Sequence, residues 1–171
     1  LNCGIPHGRS MTEPCPQLPE RGRLAGVDYG TVRIGIAITD PEQRLASPLE
    51  SYLRRSREAD ASFFRQLVEQ EKVVGFVVGL PVHASGQESQ KSLEARKFGQ
   101  WLSEVTGRPF VFFDERYTTV LANELLTAGA LRGRKRRKRR RDMVAAQVLL
   151  SEFLESGRRG QSPLPLDDAN P

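Results

Sequence analysis

The sequence predicts an α/β domain, a mixed sheet flanked by helices. Two apolar segments near the start, residues 24–29 and 33–39, meet at a bend on Gly30, as the arms of a hairpin do. Further along, helical spacing of apolar residues alternates with short continuous apolar runs. The hairpin argues for antiparallel pairing and the later alternation for strands joined by crossovers, so the sheet is mixed.

The elements follow in order. In RIGIAIT, residues 33–39, Ile34, Ile36 and Ile38 alternate with smaller or polar residues, and a third strand is expected over residues 46–52. Phe63, Phe64, Leu67 and Val68 have the spacing of one helix face. VVGFVVGL, residues 73–80, is continuously apolar and suits a strand covered on both sides. Phe98, Trp101, Leu102 and Val105 step again by three and four, with Gly107 where a helix would end. A strand over residues 110–113 precedes a helix that Thr119 can cap, that bears Leu121, Ala122, Leu125 and Leu126, and that Gly129 can end. A last helix is expected over residues 142–155, with Val144, Ala145, Val148, Leu149 and Phe153 on its apolar side. The predicted order is βββαβαβαα.

Residues 1–22 and 156–171 hold Gly, Pro and Ser without apolar periodicity and are expected to be disordered tails around one domain, residues 23–155. Met11 is a candidate initiator. The two cysteines, Cys3 and Cys15, have no partner cluster of metal-ligand spacing, which excludes a zinc site or disulfide framework. Without a long apolar run or a basic start followed by an apolar core, neither a membrane span nor a secretory signal is expected, and the cytoplasm is the expected compartment.

Charge is distributed unevenly. The net charge is +5, yet Arg134, Lys135, Arg136, Arg137, Lys138, Arg139, Arg140 and Arg141 form one unbroken run, without which 18 basic residues face 21 acidic ones. The run reads as a local partner site, expected as a flexible phosphate-binding loop because eight adjacent cations repel one another. A solvated face or a localisation tag is the alternative.

Several carboxylates could carry chemistry. Asp28 closes an apolar strand, where Asp is uncommon, and reads either as a turn former beside Gly30 or as a metal ligand. Asp114 and Glu115 follow FVFF, and strand alternation lets only one of them share a face with Asp28. An ion pair with Arg116 is the plainer explanation. Asp142 opens the expected last helix, where it could be an N-cap. If these strand and helix ends converged, their oxygens would suit Mg²⁺ or Mn²⁺, and a pair of such ions hydrolyses phosphodiesters.

GVDYGTVRIGIAITD (residues 26–40), VVGLP with Gly86, FFDERYTTVLA (residues 112–122) and RDMVAAQVLLSEFL (residues 141–154) together resemble the YqgF family of pre-16S rRNA nucleases and Holliday junction resolvases, relatives of RuvC. Four linked motifs in family order are far more specific than one. The resemblance implies a ribonuclease-H-like fold and a metal-dependent nuclease acting in 5′-end processing of the 16S rRNA precursor, or alternatively on Holliday junctions. It assigns Asp28, Glu115 and Asp142 as catalytic and metal-binding acids, with Asp114 and Arg116 in supporting roles. The basic run is denser than the family's loop before the final acid. A protein of this kind would bind precursor rRNA or branched DNA, as a monomer or a homodimer.

Two rivals remain. GVDYGT also resembles the phosphate loop of actin-like and sugar-kinase ATPases, but those need two such domains and this length holds one. A non-catalytic RNA-binding assembly factor would use the basic run alone, its acids serving as caps and turns.

Overall fold

A computed structural model describes residues 18–81, 89–114 and 134–157. Along them run β1 (Arg23–Asp28), β2 (Arg33–Thr39), β3 (Ala46–Leu53), α1 (Arg57–Glu71), β4 (Val73–Leu80), α2 (Gln90–Thr106), β5 (Phe110–Asp114) and α3 (Arg134–Glu155). The helix expected between Thr119 and Gly129 lies outside the described residues. The strands form one sheet in the order β3-β2-β1-β4-β5. β2 pairs antiparallel with β1 and β3, and β4 pairs parallel with β1 and β5, so the sheet is mixed as expected. Pro48, which cannot donate to a ladder, is accommodated on β3 at the sheet edge.

Alternation divides the side chains between two layers. Ala25, Val27, Ile34, Ile36 and Ile38 pack with Phe64, Leu67 and Val68 of α1 and with Ala95, Phe98 and Leu102 of α2. Leu24, Ala37, Val77 and Phe113 face the other way, onto Ala146, Leu149, Leu150 and Phe153 of α3. The large side chains at the centre, Phe64, Phe76, Phe112 and Phe153, are fully buried, and each contributes about 1.5–3 kcal/mol by leaving water.

Local signals set the helix ends. The Ser56 and Ser89 side chains cap α1 and α2 by accepting from the amides of Ala59 and Ser92, at 3.2 and 3.1 Å. Gly107 ends α2 with φ of 67°, as its position predicts. Among the described residues, no helix is long and apolar enough to cross a membrane.

Two expectations are corrected. α3 starts at Arg134, so residues 134–141 are helical rather than a flexible loop, and Asp142 stands two turns inside the helix rather than at its N-cap. Arg and Lys are good helix formers, and extending an anchored helix costs far less than starting one. Val144, Ala146, Val148, Leu149, Leu150 and Phe153 anchor it, all buried. Exposed cations are meanwhile screened beyond about 8 Å at physiological salt. Ahead of β1, Leu18 is buried in the α3 layer. Gln43 Nε2 donates to the carbonyls of Pro19 and Gly22 at 2.9 and 2.8 Å.

A polar hub joins β3 to α1. Asp60, almost fully buried, accepts from Tyr52 Oη at 2.9 Å, Arg54 Nε at 3.2 Å and the Arg55 amide at 2.9 Å. Burial, and then the bond to Asp60, push the Tyr52 phenol up to about 12. A raised pKa means stability that is complete below the unfolded value near 10 and lost as pH rises towards 12, a change of about 2–3 kcal/mol. Tyr52→Phe should therefore lower stability at pH 8 and flatten its decline between pH 10 and 12, measured by urea denaturation. Parallel declines in the two proteins would refute the coupling.

Candidate nucleic-acid site

Asp28, Leu80 and Asp114 are the last residues of three parallel strands, β1, β4 and β5. They mark the carboxyl edge of the sheet, where open α/β sheets ordinarily bind ligands. Asp28 pairs with Gly35 of β2, and Gly35 pairs with Ser51 of β3. Residues directly opposed across antiparallel strands share a face, so Ser51, Gly35 and Asp28 form one row.

α3 rests on that row. A Cβ on Gly35 would fall on the backbone carbonyl oxygen of Asp142, so only glycine lets the helix sit this close. The Asp142 carboxylate reaches towards β3, where its Oδ2 accepts from Ser51 Oγ at 3.1 Å. Asp28 and Asp142 thus occupy one face at one level of the sheet, on either side of Gly35. Both are half-buried.

Asp114 does not join them. It is in register with Leu80, which packs in the α1 and α2 layer, and it is 8% exposed, so it belongs to the opposite face from Asp28. Glu115 and Arg116 lie outside the described residues. Among the described residues, no group of three or more His, Cys, Asp or Glu side chains could hold a metal ion.

A groove of about 730 Å³ runs along the β3 edge between α1 and the start of α3. Arg33, Arg55, Lys135, Arg136 and Arg139 line it, with Glu50 the one acid among the described residues of its wall, and Ser51 carries the wall up to the Asp142 carboxylate. Of the basic run, Lys135, Arg136 and Arg139 share a helix face through their three- and four-residue spacing, whereas Arg137, Lys138, Arg140 and Arg141 do not line the groove. Arg33, Arg55, Ser51 and Gly35 carry no mark in the sequence. Arg33 is an isolated cation and Arg55 one of three arginines at positions 54, 55 and 57, both far from the run, and the other two acquire meaning only through strand register.

Gly35→Ala should displace α3 and cost about 1–3 kcal/mol, the range for overpacking a close contact. Ser51→Ala removes one hydrogen bond from a part-exposed carboxylate and should cost about 1 kcal/mol. Urea denaturation of both variants checks the ranking, and an unchanged midpoint for Gly35→Ala would contradict the seating of α3.

The sequence profile of the RuvX family, described as Holliday junction resolvase, matches residues 22–156. A Rhodopirellula baltica protein named "Putative pre-16S rRNA nuclease" is 55% identical over 144 residues, 84% of this chain and 83% of its own. A Koribacter versatilis protein of the same name is 37% identical over 139 residues, 81% of this chain and 89% of its own. Among solved structures, Thermus thermophilus RuvC in complex with a Holliday junction substrate is similar at TM-score 0.53 and 13% identity, over 82% of this chain and 99% of that one. This likeness identifies the sheet and its helices as a ribonuclease-H-like fold. With the family's profile spanning the described sheet and α3, and relatives matching over most of their own length, the chain belongs to the RuvX (YqgF) family.

Proposed function

We propose that this protein is a metal-dependent nuclease of the cytoplasm that hydrolyses phosphodiester bonds in the 5′-end processing of precursor 16S rRNA. The observation that carries the reading is that a groove lined by five cations ends on a row holding two carboxylates, Asp28 and Asp142. The relatives' name supplies the choice of rRNA.

Asp28 and Asp142 offer hard oxygen donors at a half-open strand end, which suits Mg²⁺ or Mn²⁺. Glu115, outside the described residues, is the third ligand of the proposed set, on the family resemblance of the segment FFDERYTTVLA. Metal bound there would supply an activated water and stabilise the leaving oxygen. The chain's own residues do the rest. Ser51 holds one Asp142 oxygen and thereby orients the carboxylate. Arg33, Arg55, Lys135, Arg136 and Arg139 grip backbone phosphates, and the remaining cations of the run, Arg134, Arg137, Lys138, Arg140 and Arg141, add to the field that draws the substrate in. Asp114 supports the strand end from behind, and Arg116 is assigned to positioning a phosphate.

The family's description and the RuvC-like fold favour a second substrate, the four-way DNA junction. Cutting two strands symmetrically would then call for a homodimer. Mg²⁺-dependent cleavage of precursor rRNA and of four-way junctions, side by side, decides between them. No cleavage of either, with binding retained, would leave a non-catalytic binding factor.

Asp28→Asn and Asp142→Asn should each abolish cleavage while RNA affinity changes little, because the groove cations remain. Filter binding and gel cleavage assays on the same preparations check this, and a fully active Asp142→Asn protein would remove that residue from the site. If all five groove cations meet phosphates, log K should fall against log salt with a slope of about −3.5 to −4.5. Changing Lys135, Arg136 and Arg139 to Gln should flatten it by about 2 to 3. Changing Arg137, Lys138 and Arg141, which lie off the groove, should flatten it less, and equal effects would show that the groove is not the binding path.

A further inference from the structure

A second cleft, of about 290 Å³, opens on the face of the sheet opposite α3, between the end of β1 and helices α1 and α2. Its floor is aromatic. Tyr29 lies 4.9 Å from Phe98, and Phe98 lies 5.5 Å from Trp101, centroid to centroid. Its rim is basic, formed by Arg54, Arg55, Arg57 and Lys97.

Arg54 has a structural role. It bridges to Asp60 at 3.2 Å, donates to Tyr29 Oη at 3.0 Å and lies over the Tyr29 and Phe98 rings. The two acids of the cleft are also engaged, Asp60 in this hub and Glu94 with Gln90 Nε2 at 3.2 Å. Folding does not account for the other three cations in the same way. Arg55, Arg57 and Lys97 are exposed, and none forms an ion pair with a described carboxylate. Arg57 reaches over Trp101, 6.0 Å from the ring centroid.

A cation beside an aromatic platform is the arrangement that holds single-stranded nucleic acid: the base stacks while its phosphate meets the charge. The volume is at the lower end of ligand pockets, about 300–1,000 Å³, which suits one base rather than a helix. The cleft is also connected to the groove. Arg55 lines both, and Tyr29 directly follows Asp28, so the end of β1 presents the acid to one face and the ring to the other. We propose that this cleft takes an unpaired nucleotide of the strand whose backbone lies in the groove, with its base on the half-exposed Trp101 ring, which the buried Phe98 backs from below, and its phosphate held by Arg55, Arg57 and Lys97. The inference rests on the nucleic-acid reading of the groove and adds a substrate class to it: strands with an unpaired nucleotide beside the cleavage position.

Trp101 is the chain's single tryptophan, so its emission reports directly on the cleft. The full-length protein is titrated with a short single-stranded RNA, followed by Trp101 emission and, with a labelled copy, by anisotropy. The emission should be quenched with the same midpoint as the anisotropy. Arg57→Glu with Lys97→Glu, both at exposed positions, should weaken single-strand binding about tenfold or more and abolish the quench, while blunt duplex RNA loses less than about threefold. Thermal melting confirms that the double variant is folded. Anisotropic binding with unchanged Trp101 emission overturns the cleft proposal and leaves the nuclease reading standing. No binding by either signal overturns both. Equal quenching by inorganic phosphate or by a polyglutamate peptide would make the cleft a general anion or acidic-protein site and overturn the assignment, as would equal losses for single-stranded and duplex RNA.

Discussion

α3 sits on β2 at Gly35, where the backbone at Asp142 leaves no room for a side chain, the tightest seat among the described glycines. Gly26 on β1 makes the same concession further along the helix, since a Cβ there would come within 2.8 Å of Leu150 Cβ and 3.0 Å of the Ala146 oxygen. Two close contacts on neighbouring strands fix the helix in both position and direction. Packed interiors move between discrete arrangements rather than deforming smoothly, so a slip of one helical turn, about 5.4 Å, would carry Asp142 away from Ser51. The height of Asp142 over the row, its bond to Ser51 and the placing of Lys135, Arg136 and Arg139 along the groove all follow from that seat.

Period two then assigns residues to faces. Asp28 and Tyr29 are neighbours in sequence and therefore look into different layers, one onto the α3 side and one into the α1 and α2 core. Asp114 falls behind the sheet by the same rule, which is why an acid at the end of a strand need not join the acids at the ends of its neighbours. A single carboxyl edge thus serves two cavities with different linings, a basic groove outside α1 and an aromatic cleft between α1 and α2.

The strands were legible wherever the local pattern had one interpretation. Residues 33–39 alternate strictly and residues 73–80 are apolar throughout, and both strands have the bounds that those patterns predict. Asp28 stood out because an acid ending an apolar strand is uncommon. Ser51 gave no such sign, for its role depends on a register that crosses three strands and on a helix 91 residues away. The start of α3 departs from its local sequence signal for a different reason. Charge repulsion is a local argument for a loop, but the packing that extends the helix lies downstream, in residues 144–153, and it outweighs the local preference.

The two halves of α3 divide the labour. Its first two turns place cations at the positive end of the helix dipole, where each costs rather than contributes a few tenths of a kcal/mol. Its later turns carry the apolar face and need no help from charge. The charged half is therefore the less stable half on its own, and anything that brings phosphates to it relieves both the mutual repulsion and the dipole penalty. By linkage, a ligand that prefers the ordered turns stabilises them by the same free energy that their order lends to binding. Asp142 sits at the join, one residue after the last cation of the run. Its backbone, though, is pinned by Gly35 and the apolar half. Affinity can then vary with salt and with the order of the first turns while the position of the carboxylate stays fixed, because the two depend on different halves of one helix.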